Sequence, residues 1–251
     1  MATTVGMPDP APAPQQSISN FGRIIGVFFS PGATFADIAR SPNWLLPVIV
    51  STVITLGAFA VMNQKVDWRD VSAKKIEESP RAANLSAEQK QQQIEMGAKI
   101  TPYILYASGL VIPILFAVIV GAVMLGAFNL LGGANTNFST AMSIVAHANL
   151  VFVLSSVLLV IILFLKPPGT LDVENPIATN LAAFMPEGTS KWLIALGKSI
   201  DIFTFWLLAL VGIGFAATNP RKLKTGGAIG IAFVVWLAFV VCRVGVAFIF
   251  S

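Results

Sequence analysis

FSTAMSIVAHANLVFVLSSVLLVIILFL, residues 138–165, decides the fold class. It holds no Asp, Glu, Lys or Arg, and it stops abruptly at Lys166, Pro167, Pro168 and Gly169. A spanning α-helix needs about 20 consecutive apolar residues, whereas a surface helix of a soluble domain carries a charged face. The stretch therefore reads as a transmembrane helix. The whole chain agrees: charged residues make up 11% of its 251 and apolar residues 55%, against about 25% charged in an ordinary soluble protein. Cys242 and His147 are the only cysteine and histidine, which excludes a disulfide-stapled fold and argues against structural zinc or iron–sulfur sites. The net charge of +4 is dispersed, so no clustered basic face for nucleic acid is present.

Outward from this stretch, Gly132, Gly133, Ala134 and Asn135 form a tight turn, and a second span lies at 102–131, long enough to tilt or to project from the bilayer. Further uncharged or nearly uncharged stretches follow at 44–62, 200–217 and 226–250. The expected architecture is an all-α integral membrane protein with five transmembrane helices inside a membrane domain at 42–251. Residues 63–101 are rich in Lys, Glu and Gln and read as a solvated helical excursion, with Ser86 and Gln89 at capping-box spacing. Residues 166–198, with Pro176, Pro186 and Gly188, read as a loop. Residues 1–17 are Pro-rich, lack the pattern of a signal peptide and are expected to be disordered.

Between these regions, 18–41 reads as two short amphipathic helices lying in the membrane interface. Ile18, Phe21, Ile24, Ile25, Phe28 and Phe29 form a helical stripe. Ser30 and Pro31 start the second helix, with Phe35, Ile38 and Ala39 on one face and Asp37 and Arg40 opposite. Phe21, Phe28, Phe29, Phe35 and Trp44 are the expected interfacial anchors. Arg221, Lys222 and Lys224 occupy a short connection without acids, which the positive-inside bias assigns to the cytoplasm. With five spans, the N-terminus is then cytoplasmic and the C-terminus outside. The cation-bearing stretch 63–101 falls outside on that reading, with acidic residues nearly balancing it.

Polar groups inside apolar spans are the candidates for function, because a central charge costs about 2.5–3.5 kcal/mol on the insertion scale. Asp201 opens the fourth span and Arg243 lies on the same membrane side of the fifth, so an Asp201–Arg243 ion pair is geometrically open. Alternatively Arg243 extends its head to the interface and Asp201 pairs with Lys198. His147 and Asn149 in the third span and Asn129 in the second suit an interhelical hydrogen bond or a proton relay. Gly226 and Gly230, with Gly212 and Gly214, offer small-residue faces for helix packing. Ser155 and Ser156 have no base nearby and are expected to bond to their own helix. No nucleophile elbow, phosphate loop or zinc helix occurs. The expectation is a non-enzyme without cofactor or metal.

Three stretches resemble the bacterial form of the Yip1 domain family of polytopic membrane proteins. They are Phe28-Phe29-Ser30-Pro31-Gly32-Ala33-Thr34-Phe35-Ala36-Asp37-Ile38 followed by Pro42-Asn43-Trp44; Leu171-Asp172-Val173-Glu174-Asn175-Pro176 with Asn180-Leu181-Ala182-Ala183-Phe184; and Ser199-Ile200-Asp201-Ile202-Phe203-Thr204-Phe205-Trp206 running on to Ile213-Gly214-Phe215. The resemblance implies a compact five-helix membrane domain and, for this chain, the bacterial cytoplasmic membrane. Eukaryotic relatives are implicated in vesicle trafficking with small GTPases. The Asp-Leu-Tyr-Gly-Pro stretch typical of them is absent here, so that role does not carry over. The expected function is organisation of membrane or partner proteins, with the lipid bilayer and a homo-oligomer or membrane-protein partner as contacts. The alternatives are a small transporter or channel around the polar cluster, and an accessory subunit of a larger membrane complex.

Overall fold

The computed structural model describes residues 17–249 apart from Pro168; the expected disorder at 1–16 and the span end at 250 lie outside the described residues. Ten α-helices follow one another among the described residues: α1 (Asn20–Phe29), α2 (Pro31–Arg40), α3 (Leu45–Lys65), α4 (Trp68–Glu77), α5 (Ala87–Gly132), α6 (Phe138–Ala148), α7 (Val151–Leu165), α8 (Lys191–Ser199), α9 (Ile202–Thr218) and α10 (Thr225–Ile249). Four stretches are long and apolar enough to cross a membrane: Leu45–Lys65, Ala87–Gly132, Phe138–Leu165 and Thr225–Ile249. α9, expected as a further span, has 17 residues. It rises about 25 Å, at the short limit for crossing a hydrocarbon core of about 30 Å.

α9 forms the axis of the bundle. Leu207, Leu208, Leu210, Val211 and Phe215 are buried along it, and α2, α6, α7 and α10 pack around it. Phe215 stacks on Phe128 of α5 with ring centroids 4.1 Å apart. Outward, α3, α5 and α10 leave long apolar side chains uncovered, among them Val53, Ile112 and Val234. A water-facing protein does not display continuous apolar surface on this scale; lipid covers it here.

The expected excursion and second span are one helix. α5 has 46 residues and is about 69 Å long, more than twice the hydrocarbon thickness. Ser86 and Gln89 close the capping box at its start: the Ser86 hydroxyl accepts from Gln89 N at 3.2 Å and Gln89 Oε1 accepts from Ser86 N at 2.9 Å. Pro102, the expected span start, lies inside α5. It removes one backbone donor, that to the Ala98 carbonyl, without ending the helix. At the other end Gly133 takes the left-handed conformation, φ 58°, that ends a helix.

Beyond the membrane-length segments, α4, the first turns of α5 and residues 169–201 form a layer at one end. Trp68 is buried there with Met62, Leu159 and Leu163, and Leu171, Val173 and Ile177 pack on them. The expected loop is thus a folded cover. The opposite end holds the α5–α6 turn and the α9–α10 connection, where Asn219 Nδ2 donates to the Gly133 carbonyl at 3.0 Å.

Candidate functional site

α1 and α2 form a hairpin, not two helices lying separately in an interface. Ser30 ends α1 and N-caps α2, with Pro31 at the first helical position. Gly26 faces Thr34 so closely that a Cβ there would overlap the threonine hydroxyl. At the tip, Phe28 meets Trp206 edge-on at 5.9 Å, and farther along α2 Phe35 abuts Gly214. The hairpin therefore lies lengthwise on α9, with its tip toward the Asp201 end.

An ion pair between two otherwise apolar helices holds the hairpin. Arg23 Nη2 and Nε each lie 2.8 Å from Asp37 Oδ2, Arg23 Nη1 donates to the Ser41 carbonyl at 2.8 Å, and Arg40 reaches Asp37 Oδ1 at 3.1 Å. Arg23 is 3% exposed and Asp37 2%. Burial pushes the Asp37 carboxyl up, but the hydrogen bonds from Arg23 and Arg40 and the charge of Arg23 outweigh it, leaving the carboxyl below its ordinary value. Helical periodicity alone puts Asp37 on the polar outer face; it points inward because Arg23 is there. The sequence signal for this pair is its composition: Asp37 is the only acid in 18–41.

The hairpin divides the expected anchors. Phe21 is 72% exposed, Ile25 62% and Phe29 83%; spaced four apart, they form one outward stripe. Phe35 is fully buried in the core and is no anchor, since its ring fills the space that Gly214 leaves. Phe28 is half-buried, and Trp44 packs beside Val48, Ala117, Met142 and Ala146.

The five polar candidates do not meet. Asp201 caps α9, accepting from Phe203 N at 2.9 Å and Thr204 N at 3.1 Å, and from the Thr179 hydroxyl at 2.7 Å. Arg243 donates to Ser199 Oγ at 3.1 Å, and Lys198 to the Glu174 carbonyl at 3.3 Å. Neither an Asp201–Arg243 nor an Asp201–Lys198 ion pair occurs among the described residues. The reason is that an N-cap carboxylate is already satisfied by its own helix. Asn129 braces the α5–α6 turn through two 3.0 Å bonds with the Thr136 backbone. His147 is buried and bonds the Ser143 carbonyl of its own helix at 2.8 Å, while the Asn129 amide is taken up by Thr136. Ser156 likewise bonds Phe152 O at 3.1 Å. A polar node that sequence reading missed links Asn175 and Asn180 by two amide bonds of 2.7 and 3.2 Å, next to the backbone bridge between Asn180 and Asp201.

Asn149 is placed differently. The expected third span breaks there: α6 ends at Ala148 and α7 begins at Val151, with tight bonds from Leu150 N to His147 O at 3.2 Å and from Phe152 N to Asn149 O at 3.0 Å. A cavity of about 250 Å³ opens at this break, bounded by Ser51 and Thr55 of α3, Gly109 and Pro113 of α5, and Asn149 and Phe152.

Of the packing glycines, Gly212 lies at a close approach of α9 to α10 and Gly214 at one of α9 to α6 and α2. A Cβ on Gly212 would lie 2.6 Å from Ile229 Cα, and one on Gly214 would strike Ile144 and Phe35. Gly226 and Gly230 border open space, with nothing within 4 Å of the place a Cβ would take. α10 instead turns Ala228 and Ala232, the same spacing two residues on, into the core.

The family model described as Yip1 domain matches residues 25–245. No curated protein and no solved structure matches the chain.

Proposed function

The chain belongs to the Yip1 domain family, and we propose that it is a five-span, non-enzymatic membrane protein that organises the bilayer or its protein partners through a leaflet wedge. The observation that carries this reading is the α1–α2 hairpin: its inner face is fixed by the buried Arg23–Asp37 pair while Phe21, Ile25 and Phe29 project outward. Because the hairpin lies lengthwise on α9, this aromatic and branched stripe runs from the interface into the acyl chains beside the bundle, displacing lipid there, and the bundle prevents the helix from yielding. α9 counts as the fifth span, because its 17 residues are screened from lipid by α2, α6, α7 and α10 and need not present a full hydrophobic length. The acid-free Arg221, Lys222 and Lys224 connection supports a cytoplasmic N-terminus by the positive-inside bias, with the C-terminus outside and the bacterial cytoplasmic membrane as the site.

Dispersal of Asp201, Arg243, His147 and Asn129 over separate hydrogen bonds supports this reading over a transporter. The test is curvature sorting of the full-length protein in phosphatidylcholine vesicles of mixed size. The native protein is expected to concentrate in the smallest vesicles, and the Phe21→Ser, Ile25→Ser, Phe29→Ser variant to lose that bias while remaining inserted. Equal distribution of both proteins contradicts the wedge.

A further inference from the structure

We propose that the cavity between α3, α5 and α7 binds an uncharged, hydroxyl-bearing lipid of the diacylglycerol type, taken directly from the hydrocarbon phase. This inference goes beyond the wedge and does not depend on it. The cavity lies at mid-height: Thr55 is central in Leu45–Lys65, and Asn149 is close to the centre of Phe138–Leu165. α3 packs against both α5 and α7, while α5 and α7 barely touch each other. The mouth between them therefore faces acyl chains.

The walls combine a mainly apolar surface with a buried hydroxyl that has no partner. Ser51 is 4% exposed and its hydroxyl makes no hydrogen bond. Such a group is costly to leave unsatisfied in a low-dielectric interior. Pro113 carries no N–H, so the helical bond to the Gly109 carbonyl is missing, and both residues line the cavity. The Asn149 amide adds a donor and an acceptor at the helix break. Irregular backbone at membrane depth is tolerated where it lines a cavity, and here two such irregularities, at Pro113 and at Asn149, border the same one.

The ligand chemistry follows from this set. No lining residue is charged, so an ionised headgroup has no counter-charge and is excluded. The Gly109 carbonyl only accepts, so the ligand must bring a donor; the Ser51 hydroxyl and Asn149 amide also donate, so a neighbouring carbonyl is matched. A free hydroxyl beside ester carbonyls on an uncharged lipid has both. The volume of about 250 Å³ is below the usual range for a whole drug-sized ligand. It takes the glycerol region, and the acyl chains leave between α5 and α7.

The experiment uses the full-length protein in phosphatidylcholine vesicles with a diacylglycerol carrying a photoactivatable diazirine beside its glycerol. Crosslinks are expected to concentrate around Ile112, Phe152 and Val153, to be displaced by unlabelled dioleoylglycerol, and to persist with added phosphatidic acid. Ser51→Ala and Asn149→Leu should each lower labelling about threefold to fivefold at subsaturating probe, while Ser51→Thr and Asn149→Gln retain it. If either loss-of-contact variant fails to fold, Val153→Phe, which narrows the cavity and removes no polar group, is expected to reduce labelling likewise. Labelling spread evenly over the lipid-facing surface, displacement by phosphatidic acid, or unchanged labelling in folded variants overturns the assignment.

Discussion

Replacing Asp37 by Ala leaves the Arg23 guanidinium 3% exposed with the Ser41 carbonyl as its remaining hydrogen-bond partner. Breaking a buried ion pair from one side costs about 3–5 kcal/mol, because the surviving charge stays desolvated. Arg40, whose side chain is 51% exposed, adds little to this, about 0–1 kcal/mol. For a chain of this length the loss corresponds to about 6–20 °C in thermal midpoint, read by the melting of the full-length protein in nanodiscs. The double variant Arg23→Met, Asp37→Leu removes both charges and fills the space with apolar atoms. It is expected to recover most of the loss, since such replacements are often neutral or stabilising, and the double-mutant cycle isolates the coupling. A melting point for Asp37→Ala within a degree of the native one, or a double variant as unstable as the sum of the singles, refutes the idea that this pair fixes the hairpin.

The same pair sets a pH dependence. Because the folded Asp37 carboxyl is held below its ordinary 3.8, its contribution is fully present above that value and is lost as pH falls through the lower folded value; the melting difference between native and double variant should be flat from neutral pH to about pH 5 and change only below about pH 4. Gly212→Ala should cost about 1–3 kcal/mol, because its Cβ would lie 2.6 Å from Ile229 Cα, whereas Gly230→Ala, with open space around it, should stabilise α10 by about 0.5–1 kcal/mol; the two melting curves decide. Asn129→Ala removes two 3.0 Å bonds to Thr136 and should cost about 1–2 kcal/mol, with faster hydrogen exchange at the Thr136 amide as the local readout.

Long apolar runs make the spans legible, since hydrophobic length is set by composition and needs no tertiary information. Residues 138–165 read as one span for that reason, and the break at Asn149 is invisible for the same reason: hydropathy does not register a change of backbone bonding. Pro102 misleads in the opposite direction, suggesting a helix start where the α5 backbone passes straight through. Among the glycines the four-residue spacing is real, but Gly226/Gly230 and Ala228/Ala232 share it, and only packing decides which face of α10 turns inward. Periodicity puts Asp37 on an outer face because it treats each helix alone, whereas the partner Arg23 comes from the preceding one. Asn149 stands out in the sequence as a polar residue in a span; Ser51 does not, because an isolated serine in an apolar helix normally bonds its own backbone and this one makes no such bond.

The most direct test is cysteine accessibility in intact membranes, using single cysteines placed in a Cys242→Ser background and an impermeant maleimide. Val53, Ile112 and Val234, each more than a third exposed on the protein surface, should resist the reagent from both faces because acyl chains cover them. Asn20 and Lys222 should react from one face, and Gln91 and Glu187 from the other. Labelling of Val53, Ile112 and Val234 as rapid as that of Gln91 would contradict the account.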